Sequence, residues 1–463
     1  MTTNFLHGTE VIIDDSQVRP IRTLRSSVIG VIGTAPEADA GAFPFNQPIL
    51  ITSKLEYAGI GSSGTLPAAL DQVYDQAGAV VVVIRVDDTD ARDKVLGGVN
   101  PTTGEYEGLH AFRAAKAKVG FTPKLLVAPG FTHQRSSDGI LTIPVAVAGE
   151  GYTEPPLVTI SGGGGEGAKA TAVLGGDGSV ASIVVDDPGE GYTSTPTVTL
   201  AEPPEGGTQA TAGIPTIGEA RSRVVAQLLG VAEALSAVVI ADGPSTTDAA
   251  AIQINDDFGS PRLYVHEVNH VRNGASLPAS PAVAGLINKV DHERGFWYSP
   301  SNHEFNGIEG TARMIDFELG DPTSRANLLN EQNIATTIRE QGFRLWGNRT
   351  TAGDPNYAFL SVVRTADMVA ESIKQAHLWA VDRCITATFV QQVVESVRAY
   401  LRSLQERGAI LGGDAWFDPA QNTAAEIKQG RVKISYHLTP CYPAERVTFV
   451  ASITDEYITN LFV

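Results

Sequence analysis

The chain has 463 residues, 43% of them apolar and 19% charged, which is ordinary for a globular protein of more than one domain. Its 52 acidic against 34 basic residues give a net charge of −18, which excludes nucleic acid as the main partner, because phosphate neutralisation needs clustered Lys and Arg. No apolar run approaches ~18 residues, so no membrane insertion is expected. The two cysteines, Cys384 and Cys441, stand in no CxxC, which leaves no zinc knuckle or redox motif; both read as small buried apolar residues.

The N-terminus, "MTTNFLHGTEVIIDDSQVRP", has no basic stretch followed by an apolar core and so is no secretory signal. Its short apolar piece, "VIID" (11–14), is followed by polar residues. "SSVIGVIGTAP" (26–36) and "QPILITS" (47–53) read as strands stopped by Gly, Pro and polar residues. "LPAALDQVYDQAG" (66–78) reads as a helix, with Ala69, Val73 and Ala77 four apart and Gly78 as its cap. "AVVVVIRV" (79–86) is continuously apolar and β-branched, as a strand covered on both faces is. A helix at 108–120 and a strand at 124–130 continue the alternation. The expected fold is therefore a mixed-sheet α/β core.

From 136 to 216 the helical period vanishes. "GEGYTEPPLVTI" at Gly149 returns as "GEGYTSTPTVTL" at Gly189, and "AKATAVL" at Ala168 is answered by "TQATAGI" at Thr208. Alternation and Gly/Pro punctuation make this stretch all-β. Two units are too few for a solenoid, which needs about three, so a small sandwich or barrel of two equivalent halves is expected, inserted in a loop. The α/β pattern resumes with a helix at 218–236 and a strand at 237–244. Later, "NLLNEQNIATTIREQ" (327–341), "DMVAESIKQAHLWAVD" (367–382) and 386–408 look helical, while 430–438 and 445–463 alternate as strands.

Few motifs suggest chemistry. "HEVNH" (266–270) matches the zinc-peptidase pattern, which needs His266 and His270 on one helix face and Glu267 as base. It falls where a strand is due, with Val265, Val268 and Val271 around it, so it reads as a partly exposed strand. "GGGGEG" (162–167) satisfies a dinucleotide spacing, but a hairpin loop is expected, since the second copy replaces it by "EPPEGG". Tyr152 and Tyr192, at equivalent repeat positions, read as core and turn residues rather than a glycan platform. Segment 149–214 holds nine acidic residues and one Lys, a solvated acidic surface without the spacing of a calcium loop. No catalytic, cofactor or metal residues are assigned.

Several stretches resemble the contractile tail sheath proteins of myophages, those of P2-like phage and R-type pyocin sheaths above all. They are "VRPIRTLRSSVIGVIGTAP", "NPTTGEYEGLHAF", "GFWYSPSNHEFNGIEG", "ANLLNEQNIATTI", "GFRLWGNRT", "AHLWAVDRCI" and "RVTFVASITDEYITNLF", and they cover nearly the whole chain outside 136–216. The resemblance implies a structural subunit, not an enzyme. It implies stacked hexameric rings around an inner tail tube, bounded by baseplate and tail terminator proteins. Contraction then drives the tube through an envelope, for genome ejection in a virion or in a phage-tail-like particle assembled in the host cytoplasm. It implies arms that exchange strands with neighbouring subunits; here Val11, Ile12, Ile13, Val447, Phe449, Ile453, Tyr457 and Leu461 would be their apolar residues. The organisation expected is an N-terminal arm (1–25), an α/β sheath domain (26–135 with 217–300), an inserted all-β repeat domain facing outward (136–216), a C-terminal sheath domain (301–445) and a C-terminal strand arm (446–463). On the helix at 386–408, Arg398, Arg402 and Glu406 lie four apart on one face and are tube-facing candidates. The other readings the residues allow are an α/β enzyme with an appended β binding module, and a surface-binding adhesin carried on the sheath.

Overall fold

The computed structural model describes residues 21–455 together with 457 and 458. Val11, Ile12, Ile13 and Leu461 lie outside the described residues.

Continuous β-branched runs need cover on both faces, and the chain provides it. Strands β1 (Ile29–Thr34), β2 (Pro48–Ile51), β3 (Val81–Val86), β4 (Leu125–Val127), β5 (Val238–Asp242), β6 (Leu263–His266), β7 (Ile334–Arg339) and β8 (Phe343–Trp346) form one sheet in the order β2-β3-β1-β4-β5-β6-β7-β8. The inner strands run parallel; β2 and β8 close the edges antiparallel. Along β3, Val81 and Val83 enter one apolar cluster while Val82, Ile84 and Val86 enter the other. The first cluster is roofed by α1 (Leu66–Gln76) and α3 (Ser280–Glu293), the second by α2 (Arg223–Leu235) and the 3-10 turn Gly108–Ala114. The expected mixed α/β core is present.

Several boundaries differ from the sequence reading. The α1 cap is Ala77, in extended backbone, rather than Gly78. The helix expected over 218–236 starts only at Arg223, because Thr216–Ala220 is a strand against Ser136–Thr142. The helix expected over 327–341 stops at Glu331: Asn333 turns left-handed (φ 60°), and Ile334, Thr336, Thr337 and Ile338, all β-branched, continue as β7. Since β7 and β8 belong to the main sheet, the division expected at residue 300 runs through it. Cys384 is exposed and Cys441 partly so, its Sγ 3.2 Å from the Gly408 carbonyl; neither is a core residue.

Between 136 and 220 every regular element is a strand. The two repeat copies are interlocked about a two-fold axis. Val158–Ser161 of the first copy pairs antiparallel with its own counterpart, Thr197–Leu200, and Thr159 lies opposite Thr199, the equivalent residue. Lys169–Leu174 of the first copy pairs with the strand leading into the second, Val180–Asp187. Reciprocally, Thr211–Ala212 pairs with the strand leading into the first, Val145–Val147. The two Gly-Glu-Gly turns follow suit, Glu150 bridging to Thr208 and Glu190 to Glu166. Each copy therefore supplies strands the other lacks, which is why the sequence repeats once. Tyr152 and Tyr192 fill the shared core, and the Tyr152 hydroxyl donates to the Ala201 carbonyl and accepts from the Ala210 amide, both at 3.0 Å.

The last part of the chain builds two helices, α4 (Leu360–Ala376) and α5 (Ala387–Glu406), which share one apolar cluster with a two-stranded sheet of β9 (Ile410–Phe417) and β10 (Ile434–Pro440). Thr386 caps α5, its hydroxyl accepting from the Phe389 amide at 3.1 Å, and Gly408 ends it at φ 74°. Val394, Val397, Leu401 and Leu404 are the buried stripe of α5.

Candidate functional site

The two ends of the described chain lead into the segments expected to be arms, so the roots of those arms, 21–26 and Glu445, are the first candidate site. The N-terminal root is clamped. Ile21 and Leu24 pack against the cluster formed by α4, α5 and β9. The Leu24 amide donates to Ser372 Oγ at 3.3 Å, and Thr23 Oγ1 meets the Tyr400 hydroxyl at 3.1 Å. Ser26 Oγ donates to Asp291 Oδ2 at 2.5 Å, and Arg364 donates to the same carboxylate (2.9 Å to Oδ1) and to the Ser26 carbonyl (3.2 Å). Arg364 and Asp291 are almost fully buried, so this pair joins the N-terminal segment, α3 and α4 in a low-dielectric setting.

The C-terminal root is clamped at Glu445, whose carboxylate takes a two-pronged contact from Arg349 at 2.7 and 2.6 Å. Beyond it the expected strand does not form: no strand occurs from 441 to 455. Yet Val447, Phe449, Val450 and Ile453 are 66%, 90%, 94% and 106% exposed, and Tyr457 is exposed as well. The alternation that predicts a strand is real, but within one subunit residues 441–455 pair with no strand. Among the described residues, β9 and β10 have only each other as strand partners, so each keeps a row of peptide groups facing outward.

The tube-facing candidates separate. Arg398 is engaged within the subunit, with Glu395 at 2.9 Å and Asp414 at 2.8 Å. Arg402 and Glu406 are exposed on α5. The sequence reading missed Arg349, Glu445, Arg364 and Asp291, whose partners lie far along the chain. It also missed strand β9, where Gly412 and Gly413 interrupt the alternation.

"HEVNH" is neither helical nor partly exposed. His266 ends β6, His270 begins the strand His270–Arg272, and His266, Glu267 and His270 are all buried. Val268 between them has φ 87°, an unusual backbone for a β-branched residue. The imidazoles stand 5.5 Å apart, and both direct Nε2 at Thr337 Oγ1, at 2.9 and 2.8 Å, with Phe305 edge-on to each. One hydroxyl proton serves two rings, so the hydroxyl donates to one and accepts from the other. Glu267 goes elsewhere, to Arg313 at 3.0 Å. Burial pushes both histidines below their ordinary range, His270 to about 3. "GGGGEG" is a loop between strands, with Gly162, Gly163, Gly164 and Gly167 at positive φ.

Among the described residues, an exposed apolar segment follows the clamp at Glu445 beside a two-stranded sheet, the arrangement of the class of proteins that join to further copies through their ends. Residues 213–351 match the phage tail sheath protein central domain and residues 352–454 the phage tail sheath C-terminal domain. A prophage major tail sheath protein of Pseudomonas aeruginosa (strain UCBPP-PA14) is 35% identical over 99% of both chains. The tail sheath protein of Burkholderia phage BcepMu is 32% identical over 100% of this chain and 99% of its own, and that of Escherichia phage P2 is 29% identical over 99% and 98%. The helical sheath of the anti-feeding prophage in its contracted state shares the fold (TM-score 0.60, 17% identity, 97% of this chain and 99% of that one). So does the sheath complex of an extracellular contractile injection system in its contracted state (TM-score 0.59, 14% identity, 98% and 99%). The chain belongs to the phage tail sheath protein family, a family of structural proteins rather than enzymes.

Proposed function

We propose that this chain is the repeating subunit of a contractile tail sheath, polymerising as stacked hexameric rings around an inner tail tube and shortening to drive that tube through a cell envelope. The observation that carries the reading is the C-terminal arm: a strand-patterned, apolar segment left exposed beside a sheet with two open edges. Main-chain hydrogen bonds to a neighbour's sheet satisfy such an arm. Val447, Phe449, Ile453 and Tyr457 at one end, and Val11, Ile12, Ile13 and Leu461 outside the described residues, are the strand-exchanging residues, and β9 or β10 of the neighbour is the receiving edge. The β-rich repeat, 136–216, is an inserted domain displayed outward. The α/β body and the C-terminal part with α4 and α5 form the layers nearer the tube. Assembly takes place in the host cytoplasm, with baseplate and terminator proteins at the ends.

Electron microscopy of the purified chain tests this: rings or tubes of stacked rings are expected. Dispersed particles of subunit size at every concentration would sink the proposal.

The tube contact is assigned to the exposed face of α5, through Arg402 and Glu406, with Arg398 held back by its own ion pairs. Arg402→Glu is expected to weaken binding of the sheath to its tube about threefold to tenfold at low salt, and less at high salt, because exposed charge pairs are weak and screened. Co-sedimentation with tubes across a salt series reads this out; equal binding at all salts removes Arg402 from the contact.

A further inference from the structure

The β repeat has its own apolar core. Every residue of that cluster lies between Ile140 and Ile217, and neither cluster of the main sheet contains a residue from this range. Apolar packing therefore does not decide how the repeat is oriented on the body. Polar contacts cross the junction: Arg92, Arg221 and Arg223 all reach the repeat, Arg221 through the Val185 and Asp186 carbonyls at 2.6 and 2.7 Å, and the most buried of the three is Arg223.

Arg223 opens α2 and is 6% exposed. Its Nε donates to Asp187 Oδ1 at 2.9 Å and its Nη1 to Glu190 Oε1 at 3.2 Å. Asp187 is itself 3% exposed; its second oxygen accepts from Gln227 Nε2, one turn along α2, at 2.9 Å. Glu190 also accepts from Arg92 Nη1 at 2.6 Å, and Arg92 donates to Ser136 Oγ at 3.2 Å. Asp93 stands 3.8 Å from Arg223. An arginine in a first helical turn opposes the helix dipole, whereas carboxylates there complement it, so Asp187 and Glu190 sit on the favourable side of that field. The glycine loop closes the site: Gly167 lies so near that an added Cβ would come 2.0 Å from Arg223 Nη2.

Only one repeat copy can do this. Glu190 and Asp187 have Glu150 and Val147 as their counterparts forty residues earlier, and both of those are exposed. The two-fold pair is thus used asymmetrically, one end fastened to the body and the other presented to solvent.

We propose that Arg223, Asp187 and Glu190 form a buried ionic latch that fixes the β repeat rigidly on the α/β body, so that the repeat moves with the subunit instead of swinging on its two connections. Two carboxylates around one desolvated guanidinium give a directional, single-geometry contact. Removal of Asp187 leaves the buried Arg223 with only the partly exposed Glu190 within hydrogen-bond distance, and removal of Arg223 leaves the buried Asp187 carboxylate with neutral donors alone, the Gln227 amide and the Gly189 backbone amide, so either change strongly disfavours the docked arrangement.

The test is hydrogen exchange and limited proteolysis on full-length Asp187→Asn and Arg223→Met. Amides in the connections 128–136 and 214–222, and protease cleavage there, are expected to become faster by on the order of a hundredfold. Amides of β1 and of Val158–Ser161 are expected to keep the parent's protection, because both cores are intact. Connections no more exposed than in the parent overturn the latch. Loss of protection in β1 as well also overturns it, since Arg223 would then serve the stability of the body and not the orientation of the repeat.

Discussion

A subunit ending at Glu445 is expected to be folded, soluble and unable to polymerise. Among the described residues, none of the apolar clusters contains a residue beyond Leu438, and the Arg349–Glu445 clamp survives the cut, so the cores of the body stay intact. The assembly loses much more. Full burial of an apolar side chain such as Val, Ile or Phe contributes about 1.5–3 kcal/mol, and Val447, Phe449 and Ile453 fall on one face of an extended segment, so a neighbour's sheet gains all of them in one register. Main-chain pairing at an open edge adds to this, and each subunit would lose the same contact at every position in the polymer. Removal of residues 1–15, with Val11, Ile12 and Ile13, is expected to act alike. Velocity sedimentation should show one species of subunit size, and negative stain should show no tubes. Regular contractile tubes from either truncated chain would refute strand exchange as the link between subunits.

Acid is expected to destabilise the subunit through the buried histidines well before most carboxylates protonate. His270 has a folded value of about 3 against an ordinary 6.5, because burial opposes its charged form. The unfolded chain thus binds the proton first. The stabilisation tied to neutral His270 is complete above pH 6.5, declines as pH falls and is gone below about 3. At pH 5 the loss is about 2 kcal/mol for His270, and His266 adds a loss of the same sign. Asp242 works against this. It is fully buried, accepts from the Ser280 amide at 2.7 Å and from the Ser280 hydroxyl at 2.6 Å, and is pushed up to about 6, so the folded form gains a proton before the unfolded form does. That gain is about 1.4 kcal/mol at pH 5, smaller than the loss at the two rings together. The groups around the imidazoles are Thr337 and Phe305, with Glu267 directed away to Arg313. Urea unfolding at pH 7 and pH 5 measures the difference. His270→Phe keeps an aromatic ring beside Phe305 and removes the titration, so its loss between the two pH values should be smaller than the parent's by about 2 kcal/mol. An unaltered pH dependence in that variant would remove His270 from the effect.

The layers of the fold were legible because their signal is local. β3 is apolar and β-branched at every position apart from Arg85, so it had to be covered twice. Leu66–Gln76 and Ala387–Glu406 carry an apolar stripe at helical spacing. The repeat betrayed an all-strand region, and seven stretches sufficed to place the family. Errors arose where two local signals compete. In "NLLNEQNIATTIREQ" a helix and a β-branched strand follow each other with a single left-handed Asn333 between them. In "ILGGDAWF" two glycines erase the alternation of a genuine strand. In "HEVNH" a residue spacing imitated a metal site, and only the change of direction at Val268 showed two strands meeting over one threonine.

What the sequence by itself determined is therefore the element types, the α/β core with its all-strand interruption and the apolar, strand-patterned end; each depends on residues two to four positions apart, the reach of one strand pleat or one helical turn. The tertiary structure decided the rest: that the two repeat copies interlock about Thr159 and Thr199, that Arg223 finds Asp187, that Arg364 and Ser26 meet at Asp291, and that Glu267 serves Arg313 rather than a metal. These contacts join residues 36 to 265 positions apart. A charged residue carries the same local pattern whether it lies in solvent or against a partner. Only the folding of distant segments onto one another removes the water and chooses which carboxylate each arginine meets.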